Sequence, residues 1–141
     1  MGYLIDTNVL SELQKGERAN PHVRAWYAQT RSEELYLSVL VLGEIRQGIE
    51  RLRRRDPEQA QRLEQRMALI QARLADRILP ISTAVAERWG RINVPDAFPV
   101  IDGLLAATAL EHGLTMVTRN VRDVERSGAS LLNPFAGAGT P

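Results

Sequence analysis

Tyr3-Leu4-Ile5-Asp6-Thr7-Asn8 is a short apolar run that stops at a carboxylate and passes into residues that favour caps and turns. A run of this length, bounded in this way, reads as a buried strand with Asp6 at its carboxyl end. The same design recurs at Leu114-Thr115-Met116-Val117-Thr118, which Arg119-Asn120 follows. Leu35 to Leu37, Ile78-Leu79-Pro80-Ile81 and Ser130 to Leu132 supply further strand candidates. Proline lacks the N–H that a central ladder needs, so Pro80 argues for an edge position.

Helical patterns fill the intervals. Val23, Trp26 and Tyr27 share a face within 21–30, and Leu42, Ile45 and Ile49 do so after Ser38, which is placed to cap a helix from Val39. Asp56-Pro57 interrupts the pattern and starts a second helix whose stripe is Leu63, Met67, Ile70 and Leu74. Ser82 and Thr83 precede a helix expected to bury Val85, Trp89 and Ile92, and 95–99 reads as a loop. Small apolar residues from Ile101 to Leu110 make a helix that Gly113 ends. Strands alternating with helices predict the α/β class, with a mostly parallel sheet covered on both faces.

The chain has 141 residues, of which 44% are hydrophobic and 25% charged, the balance of one ordinary globular domain. We assign residues 1–135 to that domain and 136–141, rich in glycine and proline, to a flexible tail. No cysteine occurs, which excludes disulfides, thiolate metal sites and a cysteine nucleophile. Neither a leader pattern at Met1 to Asp6 nor a run of membrane-span length is present, so a cytoplasmic protein without a membrane partner is expected. Lys15 is the single lysine. Between Glu44 and Arg77 nine arginines face six acids, a locally basic stretch suited to phosphate.

In open parallel sheets, sites form beyond the carboxyl ends of the strands. Asp6 and Asn120 fall there. Glu44 and Asp102 lie in helices that are otherwise apolar around them, where a carboxylate needs a partner. Arginine could serve, as could a shared divalent cation. Oxygen donors, with no cysteine and with His22 and His112 isolated, favour magnesium or manganese over zinc or copper. Each acid also has a plainer explanation: Asp6 as a cap, Glu44 as a solvated helix residue, Asp102 as an acid favoured by the helix dipole. Phosphate-binding glycine loops and a G-x-S-x-G elbow are absent.

Four segments taken together resemble the motifs of PIN domains of the VapC and FitB type, in order and across nearly the whole chain. They are Leu4-Ile5-Asp6-Thr7-Asn8-Val9-Leu10, residues 38–49 around Gly43-Glu44-Ile45, Ile101-Asp102-Gly103-Leu104-Leu105-Ala106-Ala107, and Val117-Thr118-Arg119-Asn120-Val121-Arg122-Asp123. Asn133-Pro134-Phe135 is similar to the FitB-like ending.

The resemblance implies a Rossmann-like three-layer α/β/α sandwich and a metal-dependent ribonuclease, with Asp6, Glu44 and Asp102 both catalytic and metal-binding. At the fourth motif, where many members carry aspartate, this chain has Asn120, and Asp123 is the nearby acid that could replace it. Thr7, Asn8, Ser38 and Thr118 are expected to hold the acids in place. Arg46, Arg51, Arg53, Arg54 and Arg119 are candidate contacts for RNA phosphates.

The resemblance also implies the toxin role of a type II toxin–antitoxin system, acting on RNA that includes transfer RNA. A small antitoxin partner is implied with it, as are operator DNA bound only through that antitoxin and a homodimer or larger assembly. Two alternatives stand beside it. One is a non-catalytic module that works with its antitoxin on operator DNA. The other is an RNA- or DNA-processing nuclease outside any toxin system.

Overall fold

Strand β1, Tyr3–Ile5, occupies the middle of a five-stranded sheet in the computed structural model, which describes residues 2–136. The other strands are β2 (Leu35–Ser38), β3 (Ile78–Leu79), β4 (Thr115–Val117) and β5 (Ser130–Leu132). Their order is β3-β2-β1-β4-β5, and every pairing is parallel. The helices are α1 (Thr7–Leu13), α2 (Pro21–Gln29), α3 (Val39–Arg53), α4 (Pro57–Arg73), α5 (Thr83–Ile92), α6 (Val100–His112) and α7 (Val121–Val124).

The chain winds outward from β1 to β3, then returns to lay β4 on the other flank of β1. Right-handed crossovers put the helices of these two halves on opposite faces. Accordingly α1 packs on α2 and α3, and α3 on α4, whereas α6 packs on α5 and α7. The result is the expected three-layer sandwich. The winding reverses between β1 and β4, the place at whose carboxyl ends open parallel sheets form their crevice.

Local chemistry starts the helices where the caps predict. Ser38 Oγ accepts from the Leu40 N–H at 3.1 Å, Asp56 Oδ1 from Gln59 at 3.2 Å and Ser82 Oγ from Val85 at 3.1 Å. Pro57 sits at the first turn of α4, and Gly113 ends α6 with φ 64°, a left-handed conformation that glycine adopts without strain. Strand β3 lies at the sheet edge and stops at Leu79, one residue before Pro80, which has no N–H to continue the ladder.

Helix α1, which opens with Thr7 and Asn8, and α7, which follows Asn120, are additions to the expected helices, and one expectation changes: in α5 only Val85 is fully buried, Trp89 and Ile92 being partly so. Apart from Ala136, the expected tail lies outside the described residues.

The core joins Leu4 and Ile5 of β1, Leu35 and Leu37 of β2 and Met116 and Val117 of β4 to Leu105, Ala106 and Ala109 of α6. The small residues of α6 let it lie close to the sheet. Thr108, fully buried there, satisfies its hydroxyl by donating to the Leu104 carbonyl at 2.7 Å. Trp26, Met67 and Leu74 are also core residues, so the apolar stripes of α2 and α4 are largely used within the fold.

Candidate active site

Asp6 continues the β1 ladder by one residue, its N–H donating to the Val117 carbonyl at 2.9 Å. The register pairs Ile5 with Val117, so Asp6 stands opposite Thr118 at the mouth of the crevice. Its carboxylate is held on both oxygens. Oδ1 accepts from the Thr7 N–H at 2.7 Å, while Oδ2 accepts from the Thr118 hydroxyl at 2.7 Å and the Asn8 amide at 3.3 Å. Asp6 therefore does cap α1, and capping fixes its direction without removing it from the crevice.

Two residues turn this contact into a frame. Thr118 Oγ1 also accepts from the Asn120 N–H at 3.0 Å, and Asn8 Oδ1 accepts from the Arg119 N–H at 3.2 Å. The start of α1 and the end of β4 are thus cross-linked by side chains. Arg119 is further held over the Phe135 ring, 4.2 Å from its centroid, which draws the Asn133-Pro134-Phe135 segment towards this end of the sheet.

Glu44 arrives from the opposite side. Ser38 caps α3 and sets its direction, and Glu44, on the second turn, accepts a hydrogen bond from the Thr7 hydroxyl. Among the described residues Ser38 bonds none of the acids; its contribution is the placement of α3. Asp102 comes from the first turn of α6, and no donor bonds its carboxylate among the described residues.

The acids sense one another electrostatically. Burial raises the pKa of Asp6 above its usual value; the hydrogen bonds from Thr118 and Thr7 oppose the rise, and the charge of Glu44 adds to it. Asp102 is raised as well, first by burial and then by the negative charges of Asp6, Asp123 and Glu44. Carboxylates from β1, α3, α6 and α7 are close enough to repel. Asn120 begins α7 through its backbone, while Asp123, exposed on α7, is the acid that Asp102 senses.

Asp6, Glu44 and Asp102 are the residues that could hold a cation. The donor set is all oxygen, and a positive ion would offset both the burial and the added negative charge that raise Asp6 and Asp102. Among the described residues no three acids stand near enough to enclose an ion by themselves.

The arginine expectations divide. Arg46 and Arg53 are already paired: Arg46 bonds Glu50 at 3.1 Å and also Glu64, and Arg53 lies 3.1 Å from Glu50 and 3.2 Å from Glu64. Arg51 and Arg54 are exposed near the far end of α3. The basic residues that share a groove with Glu44 are instead Lys15, Arg18, Arg55, Arg62 and Arg66, which sequence reasoning passed over. Helical spacing on α4 puts Arg62 and Arg66 on one side, but only the packing of α4 on α3 brings that side into the groove that Glu44 lines.

A parallel sheet with carboxylates beyond the carboxyl ends of its strands is an arrangement that can serve hard-cation and phosphate chemistry. The chain belongs to the PIN domain family, which residues 3–126 match. It is 34% identical to the VapC ribonuclease Y4jK of Sinorhizobium fredii, over 96% of this chain and 99% of the relative. It is 32% identical to toxin FitB of Neisseria gonorrhoeae, over 94% and 97% respectively. Among solved structures, the FitAcB crystal structure from Neisseria gonorrhoeae superposes with a TM-score of 0.87 at 31% identity, covering 94% of this chain and 98% of that one. A structure of FitAB bound to an IR36 DNA fragment matches with a TM-score of 0.86 at 31% identity, covering 95% and 96%.

Proposed function

We propose that this protein is a ribonuclease dependent on magnesium or manganese, the toxin of a toxin–antitoxin pair. The observation that supports the reading is the electrostatic coupling of Asp6, Glu44 and Asp102 at the carboxyl-terminal side of the sheet, where burial first, and then the neighbouring negative charges, raise Asp6 and Asp102. Asp6, Glu44 and Asp102 would hold the cation, directly or through water. When bound it supplies a Lewis acid that lowers the pKa of a water and offsets phosphate charge.

The chain's own groups divide the remaining work. Thr118, Thr7 and Asn8 hold the Asp6 carboxylate in one orientation. The Thr7 hydroxyl occupies Oε1 of Glu44 and leaves Oε2 to take a proton from the attacking water. As the water oxygen bonds to phosphorus, the P–O ester bond on the opposite side breaks and its oxygen leaves with the product. Asp102 keeps its carboxylate free of competing donors.

The toxin role draws support from relatives named as a VapC ribonuclease and toxin FitB. Structures of FitAcB and of FitAB on DNA support a small antitoxin partner that carries the pair to operator DNA. A homodimer is part of the same proposal. No helix among the described residues is long and apolar enough to cross a membrane.

The test is incubation of purified protein with total RNA, with manganese or with a chelator, followed by mapping of the cut ends. Defined cuts that need the cation, and that the product of an adjacent small gene suppresses, are expected. Intact RNA under both conditions overturns the nuclease reading, and cutting that no neighbouring gene product restrains overturns the toxin role.

A further inference from the structure

Thr7 and Glu44 form one end of a groove of about 450 Å³ that runs between α1, α3 and α4. Its lining carries Lys15 and Arg18 from the segment after α1, Arg55 from the turn joining α3 to α4, and Arg62 and Arg66 from α4. Glu44 is the one acid in that lining among the described residues.

The five cations are not equally free. Lys15 Nζ lies 3.0 Å from Glu12, and Arg66 donates to the Gln14 carbonyl at 2.6 Å, tying α4 to the end of α1. Arg18, Arg55 and Arg62 are exposed, and their guanidinium groups make no ion pair or hydrogen bond among the described residues. This separates them from Arg46 and Arg53, whose charge Glu50 and Glu64 already offset. Unpaired guanidinium groups around one concavity concentrate positive potential where a polyanion can lie. Between them the floor is apolar, with Ile45, Leu52 and Leu63 over the buried Met67.

We propose that this groove seats single-stranded RNA on one side of the bond being cut, with Arg18, Arg55 and Arg62 holding neighbouring phosphates. The inference rests on the ribonuclease reading and names how that site takes its substrate. Continuity with Glu44 favours RNA as occupant, because a substrate strand has to reach the carboxylates. The apolar floor favours an unpaired strand, since bases expose their faces to side chains only outside a helix. An acidic protein segment is the competing occupant.

The experiment measures binding of a fluorescein-labelled single-stranded RNA by anisotropy over a range of salt, using the full chain with Asp102→Asn so that the probe stays intact. Adding Arg18→Gln, Arg55→Gln and Arg62→Gln together should weaken binding tenfold or more. The slope of log K against log salt should fall by about 2, at roughly 0.7 for each phosphate that is no longer neutralised. The same three positions changed to lysine should keep the slope. A control with the same charge change elsewhere, Arg31→Gln, Arg88→Gln and Arg91→Gln, should behave like the parent.

Unchanged affinity and slope in the glutamine triple, or an equal loss in the control, overturns the proposal. If the triple instead binds its protein partner more weakly while its RNA slope stays fixed, the groove belongs to an acidic segment of that partner and the proposal also fails. Cleavage with Asp102 intact separates the two readings. A wild-type chain that cuts no RNA sinks the ribonuclease assignment, whereas a wild type that cuts and a triple with the same KM sinks only the groove.

Discussion

Thr118 and Asp6, 112 residues apart in sequence, are joined by a buried 2.7 Å hydrogen bond across the gap between β4 and β1. The hydroxyl is also the acceptor for the Asn120 N–H, so one side chain fixes the orientation of a carboxylate and the path of the segment that leaves the strand.

Replacing that hydroxyl by a methyl should therefore act on stability and on activity together. Thr118→Val keeps the shape, leaves the Asn120 N–H without its acceptor, and leaves Asp6 Oδ2 with only the longer hydrogen bond from Asn8. A loss of about 1–3 kcal/mol is expected, the usual penalty for removing one side of a buried hydrogen bond. RNA cleavage should fall more steeply than stability does. Thr118→Ser should recover most of both. Thermal melting and an RNA cleavage assay check this, and a valine variant with wild-type cleavage would show that Asp6 needs no such support.

Asp102→Asn should abolish cleavage and leave the metal-free protein at least as stable as wild type. The amide keeps the volume and removes a charge that Asp6, Asp123 and Glu44 repel. Relief of that repulsion contributes on the order of 1 kcal/mol, as is common where a site trades stability for function. Manganese, by binding the folded state, should raise the melting temperature of wild type more than that of the variant. A variant that melts well below wild type without metal would give Asp102 a structural role.

Asn120→Asp should raise manganese affinity. Asn120 follows Thr118 at the end of β4, and an added carboxylate there increases the negative charge offered to a hard cation. Calorimetric titration measures the change, and weaker manganese binding than in wild type would place residue 120 away from the ion.

Gly103→Ala should destabilise the protein although alanine is the better helix former. A Cβ at this position would stand 3.1 Å from Phe98 Cβ and 3.2 Å from Trp89 Nε1, neither of which is the loose end of a flexible chain. Crowding of this kind costs about 1–3 kcal/mol, against a gain of roughly 1 kcal/mol in helix propensity. Because Asp102 is the preceding residue, a shift of α6 should also reduce cleavage. Equal or higher stability by denaturant unfolding would show that α5 gives way easily.

The strands and the long helices were legible because their signals are local: apolar runs ending at Asp6 and Thr118, caps at Ser38, Asp56 and Ser82, a stop at Gly113. Helix α1 was not, since its opening Thr7-Asn8 has the composition of a turn and only the Asp6 cap makes it helical. The acids of the site were found as residue types, but their facing one another depends on the strand order, which no local pattern states. The arginines show the same limit most plainly. Arg46 and Arg53 look as available in sequence as Arg55 and Arg62, yet Glu50 and Glu64 occupy the first two and leave the others open.

The strand order also carries a schedule. Strand β1 precedes both of its neighbours in the chain, β2 by some thirty residues and β4, at Thr115–Val117, by more than a hundred. A nascent chain holding Asp6 and Glu44 still lacks Asp102, Thr118 and the second flank of the crevice. The order of synthesis thus keeps the acids of the two halves apart until β4 is laid beside β1.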